Sequence, residues 1–410
     1  MKILHTADWH LGKRLDNHLS RHEEQVAVLN EIVAIADREN VDVILIAGDL
    51  FDNFTPSVES SELLYSTCKR LTNNGLRPVI AIAGNHDSPQ RIEMTDALAR
   101  SLGILFAGFP DTMIPVFEME SGIKITRSDK GFVELKLPKF DYPLQLLLTP
   151  YANEYRLRRY LQEGDADDNL RAALQTHWQQ TYDKYFDTER VCILMTHLFF
   201  TDPNKPHFVE PDDEKPILHI GGAAAMFPEH IPEGIQYVAL GHLHRAHTVS
   251  NTPCPIVYSG SPLAYSFNED NQQKYVQILD IEPNQKVVHR KVALESGRRM
   301  FHVQFETVEA AIDWLEKNQN IWVLLTLETE DYLSAFTKKR LHEVHDGLIT
   351  IIPLLRADNQ SLMSNEGEKN VPKTMQSMFV DYFKYKQKGL APSQSLMDLF
   401  EEVLGENVED

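Results

Sequence analysis

Between the N-terminus and Leu240 the chain repeatedly runs apolar for several residues and then turns abruptly polar. Lys2 to Ala7, Val41 to Ala47, Pro78 to Ala83, Val191 to Met195 and Tyr237 to Leu240 read as buried strands. Between the early strands, Ser20 to Arg38, Ser57 to Asn73 and Pro89 to Ser101 carry helical patterning. The first of these opens with Ser20 and Glu23 at the spacing of a capping box. The order is β-α-β, so the fold class is α/β. From Ile114 to Thr149 the pattern changes to short β segments separated by Ser-Gly and Asp-Lys-Gly turns, which predicts hairpins. Two helices, Glu154 to Gln162 and Asp168 to Phe186, are expected before the Val191 strand. Tyr275 to Leu294 reads as two β runs around Glu282-Pro283-Asn284-Gln285, completing a second sheet.

The segmentation changes after residues 295–299, Glu-Ser-Gly-Arg-Arg. Strand, helix, strand, helix, strand follow at Phe301 to Phe305, Val308 to Lys317, Ile321 to Leu327, Glu330 to Val344 and Leu348 to Leu354, a small α+β module. Ala357 to Asn370 is polar and reads as a flexible linker. Beyond it, Met375, Met378, Phe379, Tyr382 and Phe383 share one helical face, as do Leu396, Leu399, Phe400, Val403 and Leu404. With a linker before them and no evident core of their own, these helices are expected to dock on a partner helix. The predicted organisation is therefore 1–297, a module over 298–356, a linker over 357–370 and C-terminal helices over 371–410. The Pro-rich, acidic connection Thr201 to Pro216 is open to two readings, a solvated excursion or a shaper of substrate access.

The polar signatures that close the five strands carry the chemistry. They are Asp8-Trp9-His10, Gly48-Asp49-Leu50-Phe51-Asp52, Gly84-Asn85-His86-Asp87, Thr196-His197 and Gly241-His242-Leu243-His244. All five fall at strand C-terminal ends, where open α/β sheets collect their sites. Imidazole, carboxylate and one amide form a mixed N/O donor set suited to Mn, Fe, Zn or Mg ions. Two divalent ions about 3.5 to 4 Å apart need a bridging ligand, and Asp49 is the candidate. Asp8, His10 and His244 would complete one ion, and Asn85, His197 and His242 the other. His242 and His244 share a face on an extended strand and splay apart on a turn, and both arrangements are open. Such a pair clamps the attacking and leaving oxygens of an in-line displacement at phosphorus, so phosphoester hydrolysis is the reaction class. His86 is then the catalytic histidine, free to protonate the leaving oxygen or stabilise the pentavalent phosphorus, and Asp52 is expected to orient it.

These signatures, in this order, resemble the calcineurin-like metallophosphoesterase superfamily, whose pattern runs D-x-H, G-D, G-N-H-D, H and G-H-x-H. The runs Ile3 to Gly12, Ala47 to Asp52, Ala83 to Ser88 and Ala239 to Arg245, with Tyr258 to Pro262 and Ser266 to Glu269, are similar to the nuclease subunits of bacterial SbcCD-type complexes. The resemblance implies two stacked mixed β-sheets flanked by helices, followed by a capping domain that helps to select DNA. It implies the same ligand set, Asp8, His10, Asp49, Asn85, His197, His242 and His244, with His86 catalytic and Mn²⁺ as the metal. It further implies an ATP-dependent 3′ to 5′ exonuclease on double-stranded ends and an endonuclease on single strands and hairpins, in DNA repair, recombination and replication. The implied partners are DNA, a coiled-coil ATPase of the SbcC type and a second copy of the chain within a heterotetramer.

Composition bounds these expectations. A length of 410 residues with 42% hydrophobic content supports several domains with real cores. No stretch approaches the ~20 apolar residues of a membrane span, and the chain enters its first strand without a signal-like segment, so a cytoplasmic protein is expected. Cys68, Cys192 and Cys254 have no metal or redox spacing and read as reduced core thiols. A net charge of −20 predicts weak DNA binding by the chain alone, although bound divalent ions would reverse the local sign. Lys13, Arg14, Arg91, Arg127, Lys130 and Arg245 are the candidate backbone contacts. Two other readings stand beside the nuclease: a phosphomonoesterase or cyclic-nucleotide phosphodiesterase with the same metal core, and a DNA-end scaffold without catalysis.

Overall fold

The early strands Val43–Ile46 and Val79–Ile82 are apolar at every position because both of their faces are covered. In the computed structural model Leu4, Ile44, Ile46, Val79 and Ala81 face one core, built with the helices His22–Arg38 and Val58–Leu71. Their neighbours Ile3, Val43, Leu45, Ile80 and Ile82 face a second core on the opposite side of the sheet. The structure describes residues 1–15, 19–152, 167–205, 225–329 and 333–355, together with Phe379, Val380, Phe383, Pro392, Leu396, Met397 and Phe400. The chain divides into two compact units, Met1–Leu354 and Leu355–Asp410.

The first sheet has six strands in the order Val288–Ala293, Tyr275–Asp280, Lys2–Thr6, Val43–Ile46, Val79–Ile82 and Ile104–Ala107. The last four are parallel and the first two antiparallel. The second sheet has eight strands, ordered His247–Ser250, Ile256–Tyr258, Tyr237–Leu240, Val191–Thr196, Leu144–Thr149, Phe132–Lys136, Lys124–Asp129 and Phe117–Glu118. Its centre is parallel and its edges are antiparallel hairpins. Leu135, Leu146, Ile193, Met195 and Val257 of this sheet meet Ile3, Leu45 and Ile82 of the other in the shared core. The outer face of the second sheet, with Leu147, Leu194 and Val238, packs on Leu170, Leu174 and Trp178 of the helix Asp167–Tyr185. The result is helix, sheet, sheet, helix, the stacked pair of mixed sheets. Each Leu or Ile enclosed in this way contributes about 1.5 to 3 kcal/mol.

Both sheets send the C-terminal ends of their parallel strands to the same edge. Asp8 N donates to Gly48 O at 2.9 Å and His10 N to Asp49 O at 3.0 Å, tying the first two loops together. Gly241 N donates to Thr196 O at 3.1 Å, tying the last two.

Local details depart from the sequence reading in three places. Tyr275–Asp280 and Val288–Ala293 do not complete the second sheet but extend the first, because Tyr275–Asp280 pairs antiparallel with Lys2–Thr6. Ser20 does not cap a helix, because it pairs with Arg14 in a short antiparallel ribbon and the helix begins at His22. Pro89 to Ser101 is two helices, Pro89–Glu93 and Asp96–Ser101. The break lies beside Glu93, whose carboxylate is drawn off to Gly108 N at 2.9 Å. The expected helix Glu154 to Gln162 lies outside the described residues, as does most of the Thr201 to Pro216 connection.

Beyond Gly297, the strands Met300–Phe305, Trp322–Thr329 and Leu348–Leu355 form a three-stranded sheet. The helices Val308–Lys317 and Ala335–Val344 pack on it around Ala311, Leu315, Val323, Leu325 and Leu341. This module meets the two-sheet body through Trp322, whose indole N–H donates to Glu24 Oε2 at 3.1 Å, and through a cluster of Leu15, Ala264, Met300 and Trp322. In the second unit, the rings of Phe379 and Phe400 stack with centroids 4.0 Å apart, joining the two C-terminal apolar stretches. No helix among the described residues is long and apolar enough to cross a membrane.

Candidate metal centre

The loops at this common edge are tightly specified. Asp8, His10, Asp49 and His242 all have positive φ, between 43° and 105°. Such backbone costs about 1 to 3 kcal/mol per non-glycine residue and persists only where the surroundings enforce it. Gly84 and Gly241 are there for a different reason, close approach. A Cβ on Gly84 would lie 2.1 Å from Asp49 Oδ1, and one on Gly241 1.9 Å from the Ala47 carbonyl oxygen.

Seven of the residues singled out in the sequence converge here, all buried. Asp49 Oδ2 stands 3.6 Å from His10 Nε2 and 3.3 Å from His197 Nε2, between two groups of side chains. On one side, His10 Nε2 is 3.1 Å from His244 Nε2. On the other, Asn85 Oδ1 is 2.9 Å from His197 Nε2 and 3.1 Å from His242 Nδ1. His242 and His244 therefore splay to opposite groups, the turned arrangement of the two left open above. Asp8 Oδ1 accepts the His242 N–H at 2.9 Å, while Asp8 Oδ2, fully buried, has no hydrogen-bond partner. Ligand-type atoms of His10, Asp49 and His86, and of Asp8, Asp49 and His197, lie close enough to share an ion in each case.

The electrostatics follow from burial and crowding. Burial pushes the Asp8 carboxyl up to about 7, with Asp49 adding to the rise and His197 and His244 opposing it. Burial also opposes charge on Asp49, but His197 and His86 outweigh it and hold this carboxyl well below its usual range. His10 is held well below its ordinary value by burial, against the pull of Asp49. For His197 burial acts downward, and Asp49 and Asp8 overcome it and raise the ring to about 9. No Lys or Arg belongs to the seven. A buried pair of carboxylates, one with an orphaned oxygen, surrounded by imidazole nitrogens and one amide oxygen, is a donor set that fits divalent cations.

His86 sits at the mouth, half-buried. Its backbone N–H donates to Asp49 Oδ1 at 2.8 Å, and its Nδ1 is 2.8 Å from the backbone carbonyl oxygen of Asp52. Asp52 thus meets His86 through its main chain and not, as the sequence suggested, through its carboxylate. The reason is Lys13, whose ammonium holds Asp52 Oδ1 at 2.9 Å and turns it towards His10 Nδ1, 3.8 Å away. Of the basic residues considered as backbone contacts, Lys13 lies at the site and Arg245, exposed, follows His244 directly. Arg127 is taken up by Glu134 in another part of the sheet.

Sequence reasoning passed over several contributors. The Asp87 carboxylate accepts the N–H groups of Leu50 at 3.0 Å, Phe51 at 2.9 Å and Gly84 at 2.8 Å, stapling the second loop to the third. Burial raises it to about 6. Its position inside the Gly-Asn-His-Asp signature was the available signal. Tyr265 donates its hydroxyl to Trp9 O and sets its ring 5.3 Å from that of His10. Glu269 Oε1 comes within 3.5 Å of His244 Nδ1. Of the histidines outside the signatures, His5 is buried between Tyr237 OH and Leu240 O and His345 Nε2 meets Asn318 O, while His342 is exposed.

Known proteins resemble this chain over most of its length. The family described as calcineurin-like phosphoesterase matches residues 1–246. A protein of Bacillus subtilis (strain 168), named as the SbcD subunit of the nuclease SbcCD, is 32% identical over 98% of this chain and 97% of its own length. Proteins of the same name from Staphylococcus epidermidis and Rhodobacter capsulatus are 27% and 31% identical, covering 89% and 68% of this chain and 92% and 66% of their own lengths.

Proposed function

This chain belongs to the calcineurin-like phosphoesterase family, and on that premise we propose that it is a DNA nuclease subunit of the SbcCD type, hydrolysing phosphodiester bonds with two divalent cations. The observation that carries the reading is Asp49, whose Oδ2 stands between the His10 and His197 groups and can serve both. Asp8, His10 and His244 would hold one cation with Asp49, and Asn85, His197 and His242 the other. Bound there, a pair of Mn²⁺ ions would supply a water of lowered pKa and neutralise the attacking and leaving oxygens. The protein's own part is positional. Asp87 fixes the second and third loops against each other. The His86 Nδ1–H donates to Asp52 O, which would leave Nε2 free to take or give a proton at the leaving oxygen.

The same reading extends to the rest of the chain. The module over 298–356 acts as the cap that selects DNA, and the helices over 371–410 dock on an SbcC-type coiled-coil ATPase. That partner would add positive surface to a chain of charge −20 and confer ATP-dependent exonuclease activity. Exposed Phe54, Val58, Met94 and Leu98 support pairing of two copies through the helices of residues 58–71 and 89–101. The complex would work in the cytoplasm, in DNA repair and recombination.

The test is release of labelled nucleotides from single- and double-stranded DNA by the full chain with Mn²⁺, beside p-nitrophenyl phosphate and a cyclic dinucleotide. Metal-dependent DNA cleavage is expected. Turnover of a small phosphoester with DNA left intact, even after the partner ATPase and ATP are added, would replace the nuclease reading with that of a phosphomonoesterase or cyclic-nucleotide phosphodiesterase.

A further inference from the structure

Histidine is a symmetric-looking ligand with asymmetric nitrogens, and what touches the nitrogen remote from a metal decides how the ring presents itself. The two groups in the centre differ in this respect. His197 Nδ1 meets a neutral group, the Ala47 carbonyl oxygen, at 2.8 Å. His244 Nδ1 faces a charged one, Glu269 Oε1, at 3.5 Å.

We infer that Glu269, held by Lys274, is the positioning residue that fixes the His244 imidazole for a divalent cation, and that it sets the affinity of one of the two cation positions but not the other. The inference rests on the two-cation reading above. Glu269 ends the short turn Phe267–Glu269 and is 3% exposed. Its Oε1 also accepts the N–H groups of Tyr265 at 2.7 Å and Ser266 at 3.2 Å, and its Oε2 binds the Lys274 ammonium. That buried ammonium also donates to the carbonyl oxygen of His244 and to Ser261 Oγ, both at 3.0 Å. One lysine therefore grips the carboxylate and the backbone of the histidine it serves. The Tyr265 ring, 5.9 Å from that of His244, limits rotation.

A carboxylate facing Nδ1 draws the ring hydrogen to that side and leaves the lone pair on Nε2. Nε2 is the atom turned into the centre, 3.1 Å from His10 Nε2. A buried ion pair is also a poor device for stability alone, since a well-packed apolar pair of similar volume often serves equally well. Its placement against a candidate ligand gives it a use that stability does not.

The experiment is Mn²⁺ titration of the cation-free full chain by calorimetry, with electron paramagnetic resonance at each addition. The wild type is expected to take up two ions and to show a spin-coupled pair. Glu269→Gln is expected to weaken one uptake step by about 10 to 100-fold, to leave the other within about threefold, and to show an isolated Mn²⁺ signal at sub-saturating metal. If Lys274, left unpaired, prevents folding, the Glu269→Gln/Lys274→Met double variant removes both charges and is read in the same way. Two uptake steps unchanged from wild type, with only a lowered melting temperature, would overturn the inference and leave the metal centre standing. A wild type that takes up no pair of ions would overturn the two-cation reading and this inference with it.

Discussion

The two-sheet body buries carboxylates at both ends of its parallel strands, and the chain treats them in opposite ways. At one end Glu134 Oε2 lies 3.0 Å from Arg190 Nε, and its Oε1 is 3.0 Å from Arg127 Nε and 2.7 Å from Thr126 Oγ1, with Gln145 Nε2 2.8 Å from Oε2. Its cations are supplied by the protein. At the other end, past the C-terminal ends of Lys2–Thr6 and Val43–Ile46, Asp8 and Asp49 are buried with imidazoles and an amide, and Asp8 Oδ2 is left without a partner. A buried charge is expensive unless paired. An end with its own arginines is finished on folding, whereas an end without them is completed by cations from solution.

The sharpest way to break this comparison is Asp49→Asn. Removing the shared carboxylate should abolish uptake of a Mn²⁺ pair and lower hydrolysis by more than the ~10² to 10³-fold typical of losing one preorganised electrostatic group. Calorimetry and DNA release measure the two effects separately. Uptake of two ions at wild-type affinity would remove Asp49 from its bridging role. Next in size is His86→Ala, which should keep both ions and still lose about 10² to 10⁴-fold in rate, the usual contribution of a general acid or base. An unimpaired rate would show that the proton moves elsewhere.

The opposite end should respond in stability and not in chemistry. Glu134→Gln leaves Arg127 and Arg190 facing a neutral group, and the loss should be about 2 kcal/mol, since both arginines keep contact with water. Urea unfolding at pH 7 measures it, and hydrolysis at 25 °C should not change. Burial pushes the Glu134 carboxyl up, but its bonds to Arg127, Thr126 and Gln145 outweigh this and hold it down to about 2. The folded value lies below the ordinary 4.5, so the unfolded state binds the proton more readily. The stabilisation is fully present above about pH 4.5 and is lost as the pH falls towards about 2. Glu134→Gln should flatten that limb of the acid-unfolding curve; an unchanged limb would assign the acid sensitivity to other groups.

What was legible in the sequence divides along the same line. Ligand-type residues such as Asp8, Asp49 and His242 each follow an apolar strand, so position along the chain alone announced the edge where they would meet. Their supporting partners were harder to read: Asp87 and Glu269 stand within signature runs, but nothing in the spacing says what they touch. Glu269 reaches His244 only because its turn folds back over the loop, and Asp87 staples residues 37 and 36 positions away. Arg127 looked as available to phosphate as Arg245 until strand pairing set it against Glu134. Ser20 had the right spacing for a cap, yet pairing with Arg14 won the competition for its backbone.

The smallest expected effect concerns Asp52, where sequence and structure disagree about an atom and not about a residue. Were its carboxylate the group that orients His86, Asp52→Ala should cost nearly as much as loss of the histidine. In the structure the group in contact with His86 Nδ1 is the main-chain carbonyl, at 2.8 Å, which alanine retains. The carboxylate instead holds Lys13 at 2.9 Å, and a half-exposed pair of this kind contributes about 0 to 1 kcal/mol. Asp52→Ala should therefore lower the rate less than about tenfold, the equivalent of 1.4 kcal/mol, and should leave its pH profile in place. Freed from its partner, Lys13 can turn to a phosphate, so DNA affinity at low salt should hold or rise slightly. A loss as large as that of His86→Ala would return the orienting role to the side chain and show that the carbonyl contact does not suffice.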